Sequence, residues 1–163
     1  MDYRKINDTV YIRMDKGDEI IGCILDVCRK EKIMSAIFSG IGGLGEAEIQ
    51  TLIPEANEFE TRTIRGMLEL VSMTGNVISD EDGEIYQHTH AIVSYKEDGK
   101  HCIAGGHIKS LTVSYTAEIE LRPVIDGVIK RKYDSETGTG FWKFEDWWCL
   151  TLNYGVLYFK WKN

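Results

Sequence analysis

The feature that most limits what this chain can fold into is a tight turn. Asp98-Gly99 stands between two runs with strand alternation, Ile85–Tyr95 and His101–Ala104. Asp-Gly between apolar strands is the signature of a two-residue hairpin loop, and such a loop sets the register of both strands. Counting outward from it, Glu97 faces Lys100, Lys96 faces His101 and His90 faces His107. Residues two apart on a strand point to one side, so His88 shares a face with His90. Side chains directly opposite in an antiparallel pair lie about 5 Å apart, which brings His107 to the same place. Three imidazoles are thus expected to converge, while His101 stays at the turn.

The rest of the chain carries the same period of two. Val10–Met14, Ser35–Ser39 and Glu46–Ile53 read as strands, the last closed by Pro54. Thr61–Ile78 reads as one long bent strand or two short ones, broken at Gly66 and Gly75, and Leu111–Leu121 and Gly127–Tyr133 complete the set. One segment departs from this period. From Asp18 to Lys32, Ile20, Ile21, Ile24, Leu25, Val27 and Cys28 recur at helical spacing opposite Asp26, Arg29, Lys30 and Glu31, with Asp18 as the capping acid. About seven strands and one helix with mostly short connections describe an α+β fold on an antiparallel sheet.

At 163 residues a single compact domain, 1–137, with an extension, 138–163, is the economical division. The extension from Phe141 holds all four tryptophans. Trp147–Leu152 and Val156–Trp161 flank Asn153-Tyr154-Gly155 as hairpin strands would, packing on the domain or on a neighbouring subunit. Gly138-Thr139-Gly140 reads as the linker to it. The net charge of −7 opposes a partner made of phosphate, and Lys130-Arg131-Lys132, split by strand alternation, is a weak basic patch. No apolar run is long enough for a bilayer and the amino terminus lacks the pattern of a signal peptide, so no membrane partner is expected and the reading is cytoplasmic. Cys23, Cys28, Cys102 and Cys149 have no metal-finger spacing and read as reduced, mostly buried thiols.

Two patterns bear on chemistry. Gly40-Ile41-Gly42-Gly43-Leu44-Gly45 matches G-x-G-x-x-G, but a dinucleotide site needs a helix at the third glycine, and strand alternation follows instead. A glycine-rich strand connection is the better reading. His88, His90 and His107 are the candidate ligands of zinc or another divalent transition metal, because neutral imidazoles on rigid strands suit such ions. No fourth protein ligand is apparent, which leaves an open position. Gly105 and Gly106 beside His107 are candidates for close backbone approach or ligand contact, and a bulge there would shift the register by one residue. No residue is assigned a catalytic role. Glu69, Asp80, Asp82 and Glu84 cannot be placed from sequence, although a zinc-dependent hydrolase or lyase is the alternative to a binding protein.

Gly66-Met67-Leu68-Glu69-Leu70-Val71-Ser72-Met73-Thr74-Gly75-Asn76-Val77, His88-Thr89-His90, Gly105-Gly106-His107 and Thr116-Ala117-Glu118-Ile119 together resemble the plant-and-prokaryote-conserved (PPC) domain family, over about Asn7 to Tyr133. The resemblance implies a homotrimeric α+β domain with the histidine motif near the subunit boundary, occupied by metal in some prokaryotic members. It also implies DNA as a partner, since bacterial members are often labelled DNA-binding and plant members bind A·T-rich DNA through a separate Arg-Gly-Arg-Pro hook. This chain lacks that hook, and its Gly66-Met67-Leu68-Glu69-Leu70 stands where plant members have Gly-Arg-Phe-Glu-Ile.

Overall fold

The alternating segments form eight strands and one helix among the described residues, which are 1–56, 58–125, 127 and 129–144 of a computed structural model. In chain order these are β1 (Asp2–Ile6), β2 (Thr9–Asp15), α1 (Ile20–Glu31), β3 (Ser35–Ile53), β4 (Glu58–Ser79), β5 (Ile85–Glu97), β6 (Lys100–Pro123), β7 (Ile129–Asp134) and β8 (Thr139–Phe144). Strand order is β1-β2-β6-β3-β4-β7-β8, with β5 pairing both β4 and β6. Pairing is antiparallel throughout, apart from one parallel bridge between Ser79 and Lys130. Since β3 pairs β4 and β6, and β5 pairs the same two strands, β3 to β6 close a ring of hydrogen bonds. A closed ring leaves its four members without a free edge between them.

Apolar side chains fill this frame. Leu44, Leu68, Met73, Ile108, Leu111 and Ile119 are essentially without solvent contact. The apolar face of α1, with Ile20, Ile24, Val27 and Cys28, joins the same core. Burial pushes the Cys28 thiol up to about 12, so it is a protonated packing group at neutral pH. Cys23 and Cys102 are half-buried and free, while Cys149 lies outside the described residues. No described helix is long and apolar enough to cross a membrane.

Three local readings are refined. The helix cap is Glu19 rather than Asp18: its carboxylate accepts from the amides of Ile21 and Gly22, and from Leu111 of β6 at 3.2 Å. Asp18 instead accepts from the amide of Asp15. The longer acid reaches both the open helix start and the adjacent strand, which a shorter one at this place does not. Second, β3 and β6 run unbroken through the glycine-rich segments where breaks were expected. Register shifts at Gly40/Gly42 and Leu44/Glu46 absorb the bend that loops would otherwise make. Third, β1, too polar to be read from alternation, pairs with β2 across a turn at Asn7.

Thr139 and Gly140, read as part of a linker, open β8, so pairing crosses the 137/138 boundary. The aromatic hairpin read at Trp147–Leu152 and Val156–Trp161 lies outside the described residues.

Close strand contact depends on missing side chains, most tightly against backbone at Gly42 and Gly75. A Cβ at Gly42 would stand 2.6 Å from the Thr116 carbonyl oxygen, and one at Gly75 would stand 2.6 Å from that of His88. Both obstacles are backbone, which cannot rotate away. Gly75→Ala is therefore expected to lower unfolding stability by about 1–3 kcal/mol, the usual range for overpacking, in urea titration. Gly45→Ala, which meets only Ser114 at ordinary contact distance, is the control expected to change it by less than about 0.5 kcal/mol.

Candidate metal centre

The β5–β6 hairpin keeps the register counted from its turn. His90 pairs with His107, Ala91 with Gly106 and Ile92 with Gly105, without a shift between them and Lys100. Asp98 and Gly99 have φ of 50° and 75°, the left-handed values that a two-residue hairpin turn demands. Between the two outward histidines of β5, Thr89 points into the protein and is wholly buried, which holds the strand face in place. The three imidazoles meet as the count requires. Ring centroids are 5.1 Å apart for His88–His90 and His88–His107, and 5.4 Å for His90–His107. His101 pairs with Lys96 near the turn and takes no part.

One nitrogen from each ring lies within 4.8 Å of the other two, and no other described group of histidine, cysteine or acid gathers in this way. Nε2 of His88 and Nε2 of His90 are 3.2 Å apart. Zinc with imidazole nitrogens at about 2.0–2.1 Å in tetrahedral geometry places neighbouring donors a little over 3 Å from each other, so this pair already has the spacing of a shared ion. Burial, followed by the neighbouring imidazoles, holds His88 and His107 below the ordinary histidine value. Neutral rings with available lone pairs are the form that a metal takes.

The surroundings are polar on the neighbouring strands. Asn76 and Thr74 of β4 stand opposite His88 and His90, and Gln50 of β3 stands opposite His107. The side-chain oxygen of Asn76 is buried without a hydrogen-bond partner among the described residues. The close approach expected at Gly105 and Gly106 is to other strands: a Cβ at Gly105 would stand 2.8 Å from the Ala91 carbonyl, and one at Gly106 would stand 3.0 Å from that of Gln50. Both also line a cleft of about 1180 Å³ that opens over the histidines. The bulge that could have displaced His107 falls instead between Glu48 and Ile49 of β3, against β6.

The carboxylates left unplaced by sequence stay out of the cluster. Glu69 is exposed on β4. Asp80 accepts from the amides of Asp82 and Glu84 and from the Tyr86 hydroxyl, closing the turn between β4 and β5. Sequence reasoning passed over the residues that wall the cleft. Phe59 of β4 rests against His107 with ring centroids 5.2 Å apart, and Arg131 of β7 sits 4.5 Å over the Tyr86 ring. Phe59 offered no signal, since an aromatic on an exposed strand end has no fixed partner until the sheet closes. Arg131 carried a hint in the alternation that separates it from Lys130 and Lys132.

A sheet closed through four strands, one helix on its core, and a group of three histidines on an outward hairpin face define a small α+β domain. The chain belongs to the Plants and Prokaryotes Conserved (PCC) domain family, whose domain matches residues 1–125. No curated protein matches the chain. Among solved structures, a protein of Bacteroides thetaiotaomicron described as a "putative dna binding protein" is 25% identical, with a TM-score of 0.79 over 89% of this chain and 98% of that one. A plant- and prokaryote-conserved (PPC) protein of Pyrococcus horikoshii is 29% identical, with a TM-score of 0.74 over 90% and 96%. A metal-containing protein of Archaeoglobus fulgidus is 26% identical, with a TM-score of 0.72 over 88% and 99%.

The shifted imidazoles have a consequence for the metal-free protein. As pH falls through the ordinary histidine value of 6.5, the unfolded chain takes up protons before the folded one does. Stability contributed by these groups is full above that value and lost below it. The urea midpoint is expected to be lower at about pH 5.5 than at about pH 7.5, and the difference is expected to shrink in the double variant His88→Ala/His107→Ala.

Proposed function

We propose that this chain is a homotrimeric PCC-domain protein in which His88, His90 and His107 hold a zinc-like divalent metal, acting as a binding and regulatory module of the cytoplasm. The observation that carries the reading is the convergence of three imidazole nitrogens within 4.8 Å from two rigid strands. The Archaeoglobus relative, described as metal-containing, agrees with it. Zinc bound there would act as a Lewis acid with one position free for water or a ligand. His88, His90 and His107 would supply nitrogen donors, and Thr89 would keep the β5 pair aligned.

Support for self-association comes from large apolar side chains that the single chain leaves outside. Ile41, Val71, Ile92, Ile103 and Tyr115 are all exposed on the ring strands. Apolar surface of this kind on a soluble domain is commonly covered by a partner. Light scattering of the full chain is expected to give a mass three times 18.6 kDa, and a monomer mass would remove the assembly. Elemental analysis is expected to give about one zinc per chain, falling to near none in His90→Ala; unchanged content in the variant would remove the site.

A regulatory role at DNA follows the wording attached to the Bacteroides relative. The net charge of −7 and the absence of an Arg-Gly-Arg-Pro hook make direct phosphate binding the weaker part of the proposal. An electrophoretic shift of duplex DNA at low salt that weakens steeply with added salt is its signature, and no shift at low salt would eliminate it. A zinc-dependent hydrolase or lyase is the second reading, favoured by the cleft of about 1180 Å³ over the tripod.

A further inference from the structure

The family match ends at residue 125, yet the chain continues into a β-hairpin that reaches the histidine cleft. β7 joins the domain through the Ser79–Lys130 bridge, and Lys143 of β8 lies 3.3 Å from Glu81. From this hairpin Arg131, Gly140, Phe141 and Trp142 line the cleft that His88, His90 and His107 line from the domain side. Part of the cleft's lining is therefore supplied by residues outside the family domain.

The lining has an unusual composition for so acidic a chain. Among the described residues it includes no aspartate or glutamate, although the chain holds 26 of them. Its one fixed charge is Arg131, which among the described residues pairs with no carboxylate. The guanidinium sits over Tyr86, 4.5 Å from the ring centroid, and packs against Gly140 while half-exposed at the cleft lining. Asp80, which shares the Tyr86 side chain, is occupied by the Tyr86 hydroxyl and by turn amides. Tyr86, His88 and His90 alternate along one face of β5, so the stacked arginine stands about 7 Å along the strand from His88. Phe59 and Trp142 add flat apolar surface, 50% and 46% exposed. Aromatic faces this open around a polar centre are a common mark of a ligand site.

We propose that the β7–β8 hairpin makes this cleft a binding site for a small aromatic carboxylate, with its anionic oxygen at the open metal position, its ring against Trp142 and Phe59, and Arg131 supplying the complementary charge. This rests on the metal reading above. A neutral flat molecule lacks the anion that Arg131 and a dication favour, and a saturated carboxylate lacks the face that the aromatics favour. Association involves no covalent step.

The test uses the full chain loaded with Co²⁺, whose visible absorption reports changes in its ligands, titrated with benzoate, cyclohexanecarboxylate and benzamide. Benzoate is expected to change the spectrum at saturation and to bind at least about tenfold more tightly than either of the others. Arg131→Gln and Trp142→Ala are each expected to weaken benzoate about tenfold while leaving the Co²⁺ spectrum of the ligand-free protein unchanged, which also shows that the variants fold and load. A spectrum identical with and without benzoate overturns the proposal and leaves the metal site standing. Equal affinity for benzoate and cyclohexanecarboxylate, or affinities untouched in both variants, assigns binding to the metal alone and overturns the hairpin's part. Failure of the wild-type chain to take up Co²⁺ overturns both readings together.

Discussion

Everything at the histidine face depends on the geometry of one antiparallel turn. Asp98 and Gly99 adopt left-handed backbone angles, and the right-handed twist of the flanking strands follows directly from such a turn. Once the turn is set, pairing extends without slippage to His90 and His107. Slippage by one residue would have sent His107 to the opposite face. Buried Thr89, Ala91 and Val93 on the inward side of β5 resist that slip, because it would carry them into water.

The turn alone would give only a hairpin. What makes its outer face rigid is the ring formed when β5 also pairs β4 and β6 also pairs β3. The ring closes tightly only because glycine stands where strands press on each other, at Gly42 against β6 and at Gly75 against β5. Gly42 and the glycines beside it bend β3, where the register shifts fall, and lower its apparent strand character. They therefore read as breaks in a sequence that in fact runs on for 19 residues.

Charge is distributed with a purpose that net charge conceals. The chain as a whole is acidic, yet among the described residues the cleft over the tripod is lined by no acid and by a single arginine. Acids placed close to the tripod would compete with an incoming anion and attract protons to the imidazoles. Keeping them at the 80–84 turn and on exposed strand faces leaves the cleft with the opposite sign from the surface. A composition average cannot reveal such an arrangement, since it depends on which side of each strand a residue occupies after closure.

The strand character, the amphipathic helix and the meeting of His88, His90 and His107 were legible in the sequence, because each follows from a local period or from counting across a two-residue turn. The capping acid was missed in favour of its neighbour, since Glu19 is chosen by the amide of Leu111, 92 residues away. Phe59 and Asn76 were silent as site residues, and Arg131 showed only its alternation, for they reach the cleft from strands outside the hairpin. Local rules thus determined what each segment is and which way its side chains alternate. Only the closure of the ring decided which distant segments share a wall, because that choice is made by burial of apolar surface over the whole core, and no short stretch of chain encodes it.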